Sequence, residues 1–439
     1  MDRTNRYATR GDRDSDEEVK AMGRLSRHWL LALMAGMASL VLAACGGGQE
    51  GGTPTKPPIS IGTTYDGTGP VAVNEIPLRQ GWADYIGLVN SRGGVDGHPI
   101  NLIDIEFGYE VPRGVDAYEQ LKRQGVVMFF AGGTPLIAAL ADRCNADKIP
   151  CLSIGFGIAA SANGQKFPYV FPVAASYWSQ AGAAVKFILD QWQREGRPGK
   201  PKIAYIYNDA PAGREPLEVL RRLAQIEGFE YREFAVPPPG LDQTAQAQDI
   251  VQRYRADWVI AHTYGRPASV TITALKQLGF PLNRVIGLVW SVADDIIQAA
   301  GGWQATEGYY GIHFANVGAE IPILQEIRQM YTQQGKTPHD FLNRADTVYL
   351  RGLAIGAVMV EAIRNALEKH GYPLDGTKVK EGLEGIRGDL SGLVTLRMSP
   401  QDHEGSGLVR IFQVRGGRWQ PATDWFSGYR EVIQEFLQR

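Results

Sequence analysis

Three cysteines and seven histidines, set in no catalytic spacing, limit the chemistry this chain can do. Cys45 directly follows Leu42-Ala43-Ala44 and precedes Gly46-Gly47-Gly48-Gln49-Glu50-Gly51-Gly52, at the end of an apolar run that starts at Trp29. Arg24, Arg27 and His28 stand just before that run. A basic stretch, a short apolar stretch and small residues at the cut describe a secretory signal peptide, and roughly 16 apolar residues fall short of the ~20 that a spanning helix needs. An acidic and basic lead-in over residues 1–21 does not belong in such a segment, and Met22 would give it an ordinary start. The other two cysteines, Cys144 and Cys151, are seven residues apart. In an exported protein such a pair favours a disulfide over two buried thiols. The histidines left after residue 44 (His98, His262, His313, His339, His370, His403) are scattered. No His-Glu-x-x-His, Gly-x-Ser-x-Gly or Gly-x-x-x-x-Gly-Lys-(Ser/Thr) occurs. Asp402-His403-Glu404 reads as a polar turn, and Asp294-Asp295 as a helix start, where negative charge is favourable. Binding, rather than catalysis or metal chemistry, is what these residues support, and no cofactor is expected.

The elements that would position a binding site are regular. Removing residues 1–44 leaves 395 residues with 38 Lys/Arg and 41 Asp/Glu, a net charge of −3. That length suggests two domains, and that balance advertises no nucleic acid. Residues 46–57, mostly Gly, Pro, Thr and Lys, read as a linker. Strand patterns at 59–62, 100–107, 126–131 and 151–154 alternate with helical patterns at 78–89, 115–123 and 136–146. The alternation then restarts with a helix over 179–195, capped by Ser176 or Ser179. Strands at 202–207, 231–236, 258–262 and 285–288 follow, with helices at 217–227, 244–254 and 268–278 between them. Such repeats predict an α/β protein with two doubly wound lobes and parallel sheets. A longer helix over 345–370 and strands at 393–396 and 409–414 complete the chain.

Two resemblances sharpen this reading. Leu42-Ala43-Ala44-Cys45 resembles the lipobox of bacterial lipoproteins, which implies cleavage before Cys45, lipidation there and anchoring to a membrane facing the periplasm or the cell exterior. Thr68-Gly69-Pro70-Val71-Ala72 and Val89-Asn90-Ser91-Arg92-Gly93-Gly94-Val95-Asp96-Gly97 resemble type I periplasmic binding proteins, the leucine/isoleucine/valine-binding group of ABC-importer receptors. Gly392-Leu393-Val394, Asp402-His403 and the run Val409-Arg410-Ile411-Phe412-Gln413-Val414 are similar too. The resemblance implies two Rossmann-like lobes joined by a three-strand hinge, with a ligand in the cleft. It implies a signal peptide over 1–44, a lipidated linker over 45–57, one lobe from 58–175 and 313–390, and the other from 176–312 and 391–439. A small-molecule ligand, an ABC permease and the membrane are the implied partners of a monomer.

Ligands of open α/β sheets bind beyond the carboxyl ends of the strands, so candidate residues follow each strand. Asn74 stands where leucine-binding relatives carry an aromatic residue. Thr134, in Gly132-Gly133-Thr134-Pro135, matches a loop that holds a ligand carboxylate, although a gapless match puts Leu136 at the family serine. Gly155 and Phe156 fall in a loop that offers relatives a backbone carbonyl and a threonine, here replaced by Gly157. Tyr177 opens the second lobe. His262 or Tyr264 falls where relatives use a tyrosine. Trp290-Ser291 replaces the acid that pairs with an α-ammonium, and Asp294 is displaced from it. Burying an ammonium without a charge partner is costly, whereas the aromatic residues suit a planar or partly apolar ligand. The expected ligand is a small carboxylated, amide-like or aromatic solute, and not leucine, isoleucine or valine as best binder. A ligand sensor on the same fold and an exported enzyme are the competing functions.

Overall fold

The computed structural model describes residues 56–439. The expected signal peptide, the Met22 start and Cys45 lie outside them. Among the described residues no helix is long and apolar enough to cross a membrane, and no cluster of side chains could hold a metal ion.

The first sheet is built by β1 (Ile59–Tyr65), β2 (Ile100–Glu106), β3 (Phe129–Phe130), β4 (Cys151–Ile154) and β5 (Val170–Val173), in the order β2-β1-β3-β4-β5. All its pairings are parallel, starting from Ile59 opposite Ile100. The helices between the strands are α1 (Ala72–Ser91), α2 (Val111–Arg123) and α3 (Thr134–Asp147). They cover both faces, so β3 and β4 are buried throughout. Cys144 at the end of α3 and Cys151 at the start of β4 form a disulfide, with Cα atoms 6.0 Å apart.

After β5 the chain crosses into α4 (Tyr177–Arg194). Ser176 is its N-cap and accepts a hydrogen bond from the Ser179 N–H. The second sheet takes β6 (Lys202–Asn208), β7 (Glu230–Val236), β8 (Trp258–His262), β9 (Val285–Gly287) and β10 (Tyr310–His313), with α5 (Leu217–Glu227) and α6 (Arg266–Gln277) among its connections. The chain then returns for α7 (Pro322–Gln333), α8 (Thr347–His370), α9 (Gly376–Glu384) and a hairpin of β11 (Arg387–Leu390) and β12 (Val394–Arg397). It ends with β13 (Arg410–Arg415), β14 (Arg418–Pro421) and α10 (Arg430–Gln438). The second sheet runs β14-β13-β10-β9-β8-β6-β7, with the β10–β13 and β13–β14 pairings antiparallel and the others parallel.

The returning helices fasten to the first lobe. Gly81 of α1 lies against Gly352 of α8. A β-carbon on Gly81 would meet the Tyr349 carbonyl at 2.3 Å, and one on Gly352 would meet that of Leu78 at 2.0 Å. Only glycine permits that approach. Asp84 of α1 then accepts hydrogen bonds from the Tyr349 and Tyr331 hydroxyls, at 2.7 and 2.9 Å, and meets His339 at 2.8 Å.

Several details depart from the sequence expectations. The apolar run 126–131 contributes only two residues of strand. β5 has no counterpart among the predicted strands, because Pro172 lacks an N–H, and such a strand is tolerated at the sheet edge where β5 lies. The helix over 244–254 is α-helical to Gln248 and π-helical from Asp249 to Tyr254. The hairpin β11–β12 spans the lobe boundary expected at 390–391. Asp402-His403-Glu404 does lie at a turn, but His403 and Glu404 are fully buried. His403 stacks on Phe171 at 3.8 Å, and Glu404 accepts bonds from the Ser176 N–H and Arg430, each at 2.6 Å. These residues tie the crossing after β5 to the end of the chain.

Candidate functional site

The carboxyl ends of strands from both sheets face one cleft. The first lobe contributes Val71, Asn74, Glu75 and Leu78 at the start of α1, Tyr109 after β2, Gly133 and Thr134 at the start of α3, and Phe156 after β4. The second contributes Tyr177 at the start of α4, Ala212 after β6, Tyr264 after β8 and Trp290 after β9. Among the described residues no Lys, Arg or His lines it, and Glu75 is its one carboxyl group.

The polar groups fall on the first-lobe side. Asn74 is buried, and among the described residues neither its Oδ1 nor its Nδ2 has a hydrogen-bond partner. A buried, unmade amide hydrogen bond costs about 1–3 kcal/mol, and that cost is recovered only if something in the cleft meets it. Glu75 is wedged against Gly132, and its Oε2 accepts the Asp66 N–H. Burial pushes its carboxyl up to about 8, partly opposed by that hydrogen bond and reinforced by the charges of Asp66 and Glu106. Glu75 is therefore neutral at pH 7. The Thr134 hydroxyl accepts the Gly157 N–H at 3.2 Å and sits on the first turn of α3, whose dipole favours an acceptor or anion.

The second-lobe side is aromatic and held from behind. Trp290 packs edge-on to Phe156 with centroids 5.6 Å apart, and its indole N–H donates to the Gly155 carbonyl at 3.1 Å. Gln180 donates to the same carbonyl at 2.8 Å and accepts the Val289 N–H at 3.2 Å. Arg351 of α8 is fully buried, donates to the Val289 and Val292 carbonyls at 2.9 Å each, and lies 5.4 Å from the Trp290 ring centre. A first-lobe helix thus fixes the second-lobe turn that carries Trp290. Burial holds the Tyr177 phenol well above its ordinary range and pushes that of Tyr264 up to about 12. Gly265 closes the rim, where a β-carbon would meet the Pro70 carbonyl of the other lobe at 2.5 Å.

Six of the eight expected ligand residues, Asn74, Thr134, Phe156, Tyr177, Tyr264 and Trp290, line this one cleft. Gly155 and His262 do not. The Gly155 carbonyl is occupied by Trp290 and Gln180. His262 lies behind Tyr177, its ring 4.5 Å away and its Nδ1 2.8 Å from the Tyr205 hydroxyl. That hydroxyl gives its proton to the Gly213 carbonyl, so His262 carries its own proton on Nδ1 and leaves Nε2 unpartnered. Burial lowers its pKa to about 3. Trp178 donates to the Glu215 carbonyl outside the cleft. Leu136 is core. Asp294 bonds the Thr347 hydroxyl and the Trp419 indole, not the cleft. Glu75 and Tyr109 were missed, although both obey the strand-end rule.

Comparisons with known proteins agree with this geometry. A family model described as periplasmic binding protein matches residues 58–418. A solved structure described as an ABC transporter permease from the Pseudomonas fluorescens group is 30% identical, with a TM-score of 0.78, covering 87% of this chain and 95% of its own. A branched-chain amino acid ABC transporter protein from Thermus thermophilus with bound valine is 22% identical, with a TM-score of 0.74, covering 87% of this chain and 99% of its own. A fatty acid ABC transporter substrate-binding protein from Thermomonospora curvata is 18% identical, with a TM-score of 0.71, covering 86% and 94%. The last two share the fold. Among curated protein sequences no match to the chain is found.

Proposed function

The chain belongs to the periplasmic binding protein family, and from that premise we propose that it is the extracytoplasmic receptor of an ABC importer, closing its two lobes on a small organic solute and handing it to a permease. The family is a substrate-binding class, with a location outside the cytoplasm. The observation that carries the reading is the unpartnered Asn74 amide, buried in a cleft that both lobes line. The cleft offers neutral hydrogen-bonding groups and aromatic faces, which suit the binding of a small solute.

The same features argue for an amide-like, carboxylated or aromatic solute rather than an aliphatic amino acid. Trp290 and Phe156 offer faces to stack on, and Glu75 is held neutral, so an α-ammonium would meet no ionised partner. Leaving it unpaired would cost a few kcal/mol, or about two decades in affinity. Calorimetry of ligand-free protein should show weak or no binding of leucine, isoleucine and valine. Submicromolar leucine binding that survives Trp290→Ala would refute both ligand class and site. The reading includes a lipid anchor at Cys45, supported by Leu42-Ala43-Ala44-Cys45. Cys45→Ser should move the protein out of the membrane fraction, and retention there at mature size would remove the anchor from the account.

A further inference from the structure

Resting on the solute-receptor reading, we propose that Glu75 is a specificity-determining residue that meets the ligand as an uncharged carboxylic acid, so that the cleft takes a carboxamide at that end in preference to an ammonium or a carboxylate. Glu75 lines the cleft and is 5% exposed. Its Oε2 accepts the Asp66 N–H. Asn74, the residue before it, presents an amide donor and an amide acceptor that have no partner among the described residues. A carboxylic O–H, an N–H and a C=O side by side complement a carboxamide. Its carbonyl accepts from Glu75 and Asn74, and its N–H donates to the Asn74 oxygen.

The surroundings oppose a charge. From the loop after β1, the buried Asp66 carboxylate accepts the Thr68 and Val71 N–H groups at 3.2 and 2.9 Å, and that of Gly69 as well. From the end of β2, Glu106 is ion-paired to Arg113 of α2 at 2.9 Å. One turn along α1, Arg79 is paired with Asp104 at 2.9 Å. The Gly132–Thr134 segment brings no charge, and Tyr109, Tyr177 and Tyr264 are neutral phenols. Among the described residues no free cation therefore holds Glu75 ionised or balances a ligand carboxylate, and the nearest fixed charges are negative. Burial agrees, pushing Glu75 up to about 8. A ligand that requires the proton is bound below that pH and lost above it.

Calorimetry with benzamide, benzylamine and benzoate as probes, from pH 6 to 9.5, tests this on wild type and Glu75→Gln. In wild type at pH 7 benzamide should bind about tenfold or more tighter than either charged probe, and above pH 8 its affinity should fall about tenfold per pH unit. Glu75→Gln, isosteric with the neutral acid, should bind benzamide within about threefold of wild type and without that pH dependence. Benzylamine binding best and tightening as pH rises would overturn the proposal, as would benzoate binding best, a flat wild-type benzamide profile, or no binding of any probe. The wild-type profile decides the matter even if the variant does not fold. Small solute recovered from the purified, denatured protein beside any of those results leaves the receptor reading standing.

Discussion

The two walls of the cleft are made differently. On the first-lobe wall both amide atoms of Asn74 are without a partner among the described residues, and the Glu75 carboxyl lines the cleft with Oε2 bonded to the Asp66 N–H. On the second-lobe wall the polar atom of Trp290 is already bonded to Gly155, and its turn is pinned by Gln180 and Arg351. One wall has hydrogen-bonding capacity in reserve, and the other offers a fixed aromatic surface. The contrast separates recognition from covering. On the proposed reading, a solute is read by the first lobe and enclosed by the second.

Trp290→Ala should have the largest effect. It removes the stacking surface and a bond that joins the lobes. Stability should fall by about 3 kcal/mol, as for a large buried aromatic, and solute affinity by about a hundredfold. Thermal melts and calorimetry check both. An unchanged affinity would show that the second wall does not touch the solute.

Asn74→Leu should cost affinity alone. An unmatched buried amide is replaced by an apolar group of similar size, so the ligand-free protein should keep its stability or gain about 1 kcal/mol, while affinity falls about tenfold to a hundredfold. Equal losses in both would mean that Asn74 has a partner within the fold.

Acid-base behaviour sharpens the contrast further. Below pH 4.5 Glu75 is protonated whether the chain is folded or not. Between 4.5 and about 8 the unfolded chain releases the proton and the folded one holds it, so the Glu75 contribution to stability declines as pH rises and levels off above 8. Glu75→Gln should flatten that part of the ligand-free denaturation profile. An identical profile in the variant would place the titration elsewhere.

The smallest effect on the cleft should come from the Cys144–Cys151 disulfide, which lies outside the lining residues. Reduction should lower stability by about 2–3 kcal/mol through the freed loop and leave solute affinity unchanged. Intact mass after alkylation without reductant reads the bond directly, and two alkylated cysteines would rule it out.

Much of this was legible in the sequence because strand–helix alternation fixes where loops emerge, and the strand-end rule then points at Thr134, Phe156, Tyr264 and Trp290. The rule places residues but does not orient them. His262, the last residue of β8, points back toward Tyr205, and Tyr264, two positions later, reaches the cleft. Gly155 holds the lobes together instead of a ligand. Glu75 was invisible for a different reason. In sequence it is an ordinary acid in the first turn of a helix, where negative charge is at home. Only the burial created by Gly132 and the Asp66 loop makes it a neutral group facing a cavity. The burial of Asp402-His403-Glu404 was hidden in the same way, since a polar turn becomes a buried tie only when Phe171, Ser176 and Arg430 are brought to it.

The most direct test of the central claim is mass spectrometry of small molecules released on denaturing the purified protein, with Asn74→Leu in parallel. The account predicts one solute in about equal amount to the wild-type chain, carrying a carboxamide or similar neutral polar group on a partly apolar or aromatic frame, and its loss from the variant. No solute in the wild-type sample, or the same solute in equal amount from both proteins, would contradict it.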